Sequence, residues 1–253
     1  MTDVLVRGIV IKSLDYKDDD KIVRLYTLEQ GKIGVLIRGV KKKTAKLKIA
    51  AQIFCFGEYL LSGRKDFPLV TGCTVGESFF SIASDPDKYA AAVSVIEILD
   101  KALPDNESNP QGFIQTLKTM KELLRAHTYG EGAEIPTEKA CKTVLLNFLL
   151  RFLALSGYRL KLHKCVVCGE GNLQQRRFDF SSGGVACRRC AAGDAVVITP
   201  LCNAVMLAAD NCETDRLYTL NLDINGLDEG LAICRKTAER VFETVFISMS
   251  NFG

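Results

Sequence analysis

The chain has 253 residues, of which 47% are hydrophobic and 25% charged, and its formal net charge is +3. This length allows one large domain or two to three small ones with well-developed cores. No apolar stretch approaches membrane-spanning length, and the alternating N-terminus with Asp3 and Arg7 is unlike a signal peptide, so we expect a globular protein of the cytoplasm.

The small net charge hides an alternation along the chain. Residues 1–80 hold 14 Lys and Arg against 9 Asp and Glu, and residues 157–199 are basic again, whereas residues 81–156 and 200–253 are acidic. Such a distribution favours contact of the basic segments with a polyanion, while the acidic remainder limits indiscriminate binding.

The first 80 residues predict a small β-barrel. Five short runs are rich in β-branched and aromatic residues and are separated by polar, glycine or lysine-rich breaks. They cover residues 4–14, 22–28, 32–38, 54–62 and 69–77. Five strands of this length, with no helical period between most of them, favour a closed sheet such as an OB-fold, with an SH3-like barrel as the alternative.

The most strongly charged segment follows the third predicted strand. It contains six basic residues and no acid, namely Arg38, Lys41, Lys42, Lys43, Lys46 and Lys48. Cations held this close repel one another unless they are solvated or neutralised, and a phosphate backbone neutralises them with release of counterions. We predict a nucleic-acid contact here, and a solvated loop is the alternative.

Two other loops flank the face on which OB-folds hold single strands. Between the fourth and fifth predicted strands, Arg64 and Lys65 supply two cations, so we expect them to assist binding. Phe67 in the same loop either stacks on bases or plugs the end of the barrel. Between the first two strands, the three adjacent acids at residues 18–20 are expected to repel a nucleic-acid strand.

From Ser84 onwards the hydrophobic pattern becomes helical. Helix starts are predicted at Asp85-Pro86, Asn109-Pro110, Thr137 and Thr199-Pro200, and a last helix is marked by apolar residues from Leu231 to Val245. Thr137 is predicted to cap its helix, which Gly157 closes. The helices before and after residues 158–198 are expected to form one bundle.

Two matched cysteine pairs, Cys165 with Cys168 and Cys187 with Cys190, are separated by 18 residues. Two residues between cysteines let both thiolates of a pair reach one ion, and the long spacer is sufficient for a hairpin that brings the second pair to it. The spacing is typical of a zinc ribbon. Four sulfur ligands leave no open coordination position, so we expect one structural Zn²⁺.

Basic residues also surround this metal site. Arg176 and Arg177 lie between the pairs, and Arg188 and Arg189 lie inside the second pair. Arginine forks match phosphate oxygens, so these residues are possible secondary nucleic-acid contacts. The alternative is that they balance the negative charge of the four thiolates.

The predicted fold class is therefore α+β and multidomain. An OB-fold β-barrel at residues 1–80 precedes an α-helical domain, whose two parts cover residues 81–157 and 199–253. A four-cysteine zinc-ribbon-like module at residues 158–198 is inserted between them. The six cysteines outside the module, at positions 55, 73, 141, 202, 212 and 234, are interpreted as reduced core residues.

The sequence offers little for catalysis. His163 precedes Cys165 and is a surplus ligand at most, and His127 falls at a predicted helix end, where it interacts favourably with the helix dipole. No phosphate loop, metalloprotease motif, nucleophile elbow or dinucleotide fingerprint is present. We expect a protein that is not an enzyme.

Several short motifs in a fixed order resemble the bacterial RecO family of DNA repair proteins, between about residues 5 and 200. They are Gly8-Ile9-Val10, Leu14-Asp15-Tyr16, Leu25-Tyr26-Thr27, Gly31-Lys32, Arg38 to Lys42, Phe148 to Leu155 with Gly157-Tyr158, Cys165 to Gly169, Gly183-Gly184-Val185 and Cys187 to Cys190. The resemblance implies an N-terminal OB-fold and a helical domain with a zinc module. It departs where family members often carry prolines, at Arg159-Leu160 and within residues 51–54.

The resemblance also implies a recombination mediator that acts at the bacterial nucleoid. Such a protein binds single- and double-stranded DNA, anneals strands, and acts with RecR and the single-stranded-DNA-binding protein to load RecA. The acidic tail of the single-stranded-DNA-binding protein is expected to contact the helical domain near Arg125, Lys142 and Arg151. The alternatives are an RNA-binding factor of transcription or translation and, less favoured, a metal-dependent nuclease.

Overall fold

The structure is a computed structural model that describes residues 3–42, 45–63, 67–126, 135–171 and 175–252. The chain divides into two compact units. Residues 1–86 and 95–117 form the first, and residues 87–94 and 118–253 form the second. The predicted domain boundaries near residues 80, 157 and 198 stay predictions.

The first unit is built on a closed five-stranded barrel. Its strands are β1 (Val4–Tyr16), β2 (Asp20–Thr27), β3 (Gly31–Ile37), β4 (Cys55–Ser62) and β5 (Leu69–Ser78). They are hydrogen-bonded in the order β1-β2-β3-β5-β4, β4 pairs with β1, and β3 and β5 run parallel. The predicted OB-like barrel is thus confirmed, and its closure removes exposed strand edges.

The core of the barrel follows from the alternation of residues along its strands. In β3, Ile33, Val35 and Ile37 point inwards and are buried, whereas the residues between them point outwards. Burying a side chain of this size contributes about 1.5 to 3 kcal/mol relative to exposure. The two faces of β3 therefore have different roles, because its inner face supports the fold and its outer face is available for contacts.

Part of the outer barrel face is covered within the first unit. Helices α1 (Pro86–Ala102) and α2 (Pro110–Arg125) follow the barrel in sequence, and residues 95–117 belong to the same unit. The rings of Tyr26 and Phe113 meet edge to face with their centroids 5.5 Å apart. The buried Lys32 donates to the backbone carbonyl of Asp100 and lies 3.4 Å from the carboxylate of Asp105.

The second unit contains three further helices that pack against one another, namely α3 (Thr137–Leu155), α4 (Pro200–Asn211) and α5 (Ile224–Val241). The buried amide of Asn147 on α3 donates to the carbonyls of Ala209 and Cys212 at 2.7 and 3.1 Å, which satisfies the end of α4. The predicted bundle is confirmed for α3, which precedes the cysteine segment, with α4 and α5, which follow it, whereas α1 and α2 are each divided between the two units.

Helix ends were predicted with mixed success. Thr199 caps α4 by accepting a hydrogen bond from the amide of Cys202, as expected. The prediction for Thr137 is wrong, because Pro136 occupies the cap position in extended conformation and no side chain caps α3. Val245 was predicted within the last helix, but α5 ends at Val241.

Between α3 and α4 the chain forms a small antiparallel sheet. Its strands are β6 (Arg176–Asp179), β7 (Gly184–Cys187) and β8 (Val196–Val197), in the order β7-β6-β8. This is the hairpin that the cysteine spacing predicted. Among the described residues, none of the helices is both long and apolar enough to span a membrane.

Candidate nucleic-acid interface and metal centre

The basic segment after β3 is anchored on the barrel rather than free in solvent. We name residues 38–48 the lysine turn. Val40 is buried in the barrel core, and Leu47 packs against that core from the other end of the turn. Arg38, Lys46 and Lys48 are exposed, and among the residues that the structure describes none of these three forms an ion pair. The turn thus presents unpaired cations on a fixed support.

Acidic residues of the β1–β2 connection lie directly against this turn. We name residues 15–20 the acidic turn. The ammonium of Lys41 lies 3.3 Å from the carboxylate of Asp15, and that of Lys42 lies 3.7 Å from the carboxylate of Asp19. The sequence predicts only that the acids at residues 18–20 repel a nucleic-acid strand. The structure brings the two turns together, so part of the positive charge of the lysine turn is already neutralised.

The contact between the turns also involves the backbone. The amide of Gly39 donates to the carboxylate of Asp20 at 2.9 Å, and the amide of Lys41 donates to the carbonyl of Asp19 at 3.1 Å. Gly39 has a φ of +63°, a conformation that residues with side chains rarely adopt. A glycine at this position lets the turn fold back onto the acidic turn.

The lysine partner also affects the protonation of Asp15. Its hydrogen bond with Lys41 lowers the pKa of the Asp15 carboxyl below the usual value, Lys21 acts in the same direction, and slight burial opposes both. The carboxyl group of Asp15 is therefore ionised at neutral pH.

An apolar row crosses the uncovered part of the outer barrel face. Strand register places Leu14 opposite Ile22 and Ile22 opposite Leu36, all pointing outwards. The side chain of Leu14 is 51% exposed, and the other two are partly exposed. We name these three residues, together with Phe67, Lys12 and Arg24, the open barrel face.

Phe67 supplies an aromatic ring to this face. A methyl group added at Gly34 would lie 3.3 Å from the ring, which therefore rests on the outside of β3. The side chain is 45% exposed and is absent from the buried core of the barrel. The plug interpretation of Phe67 is therefore wrong, and its exposed ring is available for stacking.

Two cations border the open barrel face. Arg24 and Lys12 are opposite each other in register, and both bind the carboxylate of Asp100, at 2.5 and 3.5 Å. Neither residue could be recognised from the sequence as part of a binding site, because isolated charges on strands carry no motif. Their alternation with buried neighbours was the available signal.

Some predicted contacts lie outside the described residues. This applies to Lys43, Arg64 and Lys65 among the proposed DNA-binding residues, and to His127. Their assignments stay predictions.

The four predicted cysteines form one cluster. Their sulfur atoms all lie within 4.8 Å of one another, and those of Cys168 and Cys187 are 3.9 Å apart. Four sulfurs at 2.3 Å from a central ion in a tetrahedron lie about 3.8 Å apart. The donor set and its spacing thus fit a metal ion with closed thiolate coordination.

The local backbone explains why the two pairs reach this geometry. Gly169 follows the first pair with a φ of +77°, and its amide donates to the carbonyl of Cys165 at 2.9 Å. The amide of Ala191 makes the equivalent bond to the carbonyl of Cys187 at 3.0 Å. The amide of Cys187 also points at the sulfur of Cys165, 3.4 Å away. Two tight turns therefore aim their sulfurs at one point.

Amide groups favour the thiolate form of Cys165, whereas the hydrogen bond with Cys187 and those with the other neighbouring thiols raise the pKa of Cys190 to about 12. Burial raises the pKa of the Cys165 thiol, but hydrogen bonds from the amides of Cys168, Cys187 and Val167 outweigh this and lower it to about 6. Thiolates are the form that binds metal.

Asp179, at the end of β6, organises the loops of the four-cysteine module at residues 158–198, which we name the metal module. It is 1% exposed, and its carboxylate accepts hydrogen bonds from the amides of Ser181 at 2.9 Å, Ser182 at 3.1 Å and Ala192 at 3.2 Å. Ala192 follows the second cysteine pair by two residues. A buried charge with only backbone donors links the β6–β7 turn to the loop that carries Cys190.

We expect Asp179→Ala to destabilise this module by about 3 kcal/mol, because three amides lose a charged acceptor. Metal affinity should fall about 10- to 100-fold, the usual effect of losing a group that orients metal ligands. Denaturant unfolding and competition with a chelator measure both quantities. The matched control is Asp194→Ala, which removes the same charge from a half-exposed ion pair with Arg240 and should cost much less stability. Equal effects of the two variants would contradict the assignment.

The arginines near the four-cysteine cluster divide into two groups. Arg176 and Arg177 are half-buried in β6, and Arg177 donates to the carbonyl of Ala195 at 3.4 Å. Arg188 and Arg189 are exposed in the turn of the second cysteine pair. Only the second group presents free guanidinium groups among the described residues of the module.

The structure does not support Arg125, Lys142 and Arg151 as a cationic site that is open to an acidic tail. Lys142 is buried between Glu138 and Asp228, at 2.7 and 2.6 Å. Burial lowers its pKa, but these two acids outweigh burial and the net shift is upward. The ammonium of Lys142 is therefore already paired with two carboxylates inside the second unit. Arg151 also binds internally, to the carbonyl of Cys212 and the carboxylate of Glu213.

The third member of that set, Arg125, is engaged as well. It contacts the carboxylate of Glu122 at 3.1 Å and lies over the ring of Tyr218.

Basic residues that precede the first cysteine pair line a groove of about 670 Å³, which is formed by residues 159–167 and Gly169. His163 lies on this groove and is not part of the cysteine cluster.

The other cysteines are free thiols. Those at positions 55, 141, 202 and 234 are buried, which confirms them as core residues, while Cys73 and Cys212 are partly exposed. Burial raises the pKa of Cys73 and Cys202 to about 12, so both are protonated at neutral pH.

Fold and site together define a protein with an OB-like barrel and a helical unit that carries a four-cysteine metal cluster. Residues 1–79 match the family model described as "Recombination protein O N terminal", and residues 83–243 match "Recombination protein O C terminal". These matches, with the relatives below, show that the chain belongs to the RecO family of DNA repair proteins.

The similar proteins carry the name "DNA repair protein RecO". That of Listeria monocytogenes serotype 4b is 35% identical over 189 residues, which cover 74% of this chain and 68% of the relative. That of Listeria innocua serovar 6a is 35% identical over 185 residues, covering 72% and 67%. That of Desulfitobacterium hafniense is 30% identical over 187 residues, covering 72% and 63%.

Proposed function

We propose that this protein is a non-enzymatic recombination mediator that binds single- and double-stranded DNA and promotes strand annealing. With RecR, it would assist the loading of RecA onto DNA coated by the single-stranded-DNA-binding protein, at the bacterial nucleoid. The proposal rests on membership of the RecO family and on one observation, the open barrel face next to the lysine turn. Family membership does not favour the RNA-binding alternative.

The two surfaces supply the two interactions that single strands require. Bases stack on Phe67 and contact the apolar row of Leu14, Ile22 and Leu36, because every base has an aromatic face. Phosphates bind the exposed cations of the lysine turn, foremost Arg38, Lys46 and Lys48. Lys41, Lys42 and Lys43, with Arg64 and Lys65, are proposed as assisting contacts.

Annealing follows from charge neutralisation. Two complementary strands repel each other through their phosphates, and a basic surface that binds both lowers this repulsion. No nucleotide hydrolysis is required. Arg188 and Arg189 form a proposed secondary contact for DNA. Arg176 and Arg177 lie on β6, which pairs with β7, the strand that precedes Arg188.

The cysteine cluster is proposed to hold one structural Zn²⁺ ion. Cys165, Cys168, Cys187 and Cys190 would be its ligands, and a filled tetrahedron leaves no site for substrate. The ion would supply cross-linking of the two turns, so that the loops of the module keep a fixed shape.

We expect Phe67→Ala to weaken binding of single-stranded DNA about 5- to 100-fold, since stacking on one base contributes roughly 1 to 3 kcal/mol. Fluorescence anisotropy with a labelled oligothymidylate measures the change. Tyr158→Ala, at a half-exposed ring in the second unit, is the matched control and should leave affinity unchanged. Unchanged binding by Phe67→Ala would remove the stacking role.

The mediator proposal is tested by annealing of complementary strands coated with single-stranded-DNA-binding protein. The chain should accelerate annealing, and RecR should modulate the rate. Absence of acceleration, with and without RecR, would exclude the proposal.

A further inference from the structure

We propose that the acidic turn is a built-in competitor of nucleic-acid phosphates for Lys41 and Lys42, and that it limits the affinity and residence time of a bound strand. This inference rests on the proposed DNA-binding function and deepens it. It assigns a regulatory role to acids that the sequence predicts only to repel a strand.

The first observation is that the carboxylates occupy the place where phosphates would bind. Asp15 lies 3.3 Å from the ammonium of Lys41, and Asp19 lies 3.7 Å from that of Lys42. Lys41 also donates to the carbonyl of Lys17 at 3.3 Å. A phosphate that approaches either lysine must replace an oxygen that is already there.

The second observation is that the competitor cannot diffuse away. Backbone bonds between Lys41 and Asp19, and the bond from the amide of Gly39 to Asp20, hold the two turns together. The carboxylates therefore act at a high effective concentration, as any tethered ligand does. After a strand has displaced them, they stay within reach and favour its release.

The third observation is that the pairs are weak enough to be displaced. The side chains of Asp15 and Lys42 are 68% and 63% exposed. Exposed pairs of this kind shift an equilibrium only about 1.5- to 5-fold. Lys46 and Lys48 are exposed without an ion pair among the described residues, so they can bind a strand first and hold it while the paired lysines exchange partners.

The acidic turn contains its own control. Asp18 lies between the paired acids but forms no ion pair with any residue that the structure describes. Asp15→Asn and Asp18→Asn change the net charge equally and are three positions apart. Only Asp15→Asn removes a competitor, so the comparison separates competition from general electrostatics.

Fluorescence anisotropy and stopped-flow dissociation with a labelled oligothymidylate test the proposal on the full chain. Asp15→Asn should bind about 2- to 5-fold tighter, mainly through slower dissociation. Asp18→Asn should gain clearly less. In a Lys41→Ala background the gain from Asp15→Asn should shrink toward that of Asp18→Asn, because Lys41 is gone and only Lys21, 3.4 Å away, still pairs with Asp15.

The proposed competition is wrong if Asp15→Asn gains no more DNA affinity than Asp18→Asn does. It is also wrong if the gain from Asp15→Asn stays undiminished in the absence of Lys41. These outcomes leave the proposed function intact, since the unmodified chain still binds DNA. If the unmodified chain binds no single-stranded DNA, the proposed function fails and this inference falls with it.

Discussion

Replacement of Cys165 and Cys168 by serine is expected to abolish metal binding and to unfold the small sheet of β6 to β8. Serine offers no thiolate, so half of the ligands are lost. Structural zinc in zinc-finger peptides contributes an apparent 10 kcal/mol or more at neutral pH, far above what a sheet of this size can replace. The barrel of the first unit has its own core and should stay folded.

Metal content by mass spectrometry and limited proteolysis of the full chain measure this outcome. New cleavage sites should fall between residues 158 and 198 and not in the barrel. Cys212→Ser, outside the cluster, is the matched control and should retain one metal ion per chain. If the doubly substituted chain stays folded and loses only DNA binding, the metal module takes part in DNA binding directly and is not only structural.

Replacement of Arg38, Lys46 and Lys48 by glutamine is expected to reduce the salt dependence of single-strand binding. Each phosphate contact contributes about 0.7 to the slope of log affinity against log salt, so three lost contacts lower its magnitude by about 2. At low salt we expect affinity to fall roughly 10- to 100-fold. These residues should matter more than Lys41 and Lys42, whose charges are already paired.

The measurement is a series of binding titrations at increasing salt. The control removes the same charge from the second unit, through glutamine at Lys118, Lys139 and Arg216. This control should keep the slope of the unmodified chain. A slope that the lysine-turn variant retains would show that phosphates bind elsewhere.

The barrel and the cysteine cluster could be predicted because their signals are local. Alternation such as Ile33, Val35 and Ile37 identifies a strand from a few residues, and the spacing of Cys165 and Cys168 identifies a metal turn from four. The helix after Thr199 was equally clear, since a capping side chain followed by proline needs no distant partner. The barrel and this helix are confirmed, and the four cysteines form a cluster that could hold a metal ion.

The contacts between distant segments could not be predicted. Nothing in the sequence around Asp15 and Asp19 indicates that they meet Lys41 and Lys42, because the barrel closure that joins the two turns is a property of the whole fold. The position of Phe67 on Gly34 depends in the same way on the pairing of β3 with β5. The start of α3 was misplaced because Thr137 carries a capping side chain but Pro136 sets the backbone.

The covered part of the outer barrel face has a similar origin. The sequence predicts only that single strands lie across one face of the barrel, and the structure shows that residues 95–117 shield the region of Tyr26 and Lys32. The ion pairs of Asp100 with Arg24 and Lys12 mark the edge of the covered region. This restricts the proposed stacking surface to the row that contains Leu14 and Phe67.

Hydrogen–deuterium exchange of the full chain with and without an oligothymidylate tests the central claim most directly. The account predicts that bound DNA protects peptides covering residues 12–24, 34–42, 45–48 and 67–69, which contain the open barrel face and the described part of the lysine turn. The small sheet of the metal module should change less. Protection confined to residues 118–252, with an unchanged barrel, would contradict the claim that the barrel surface binds single strands.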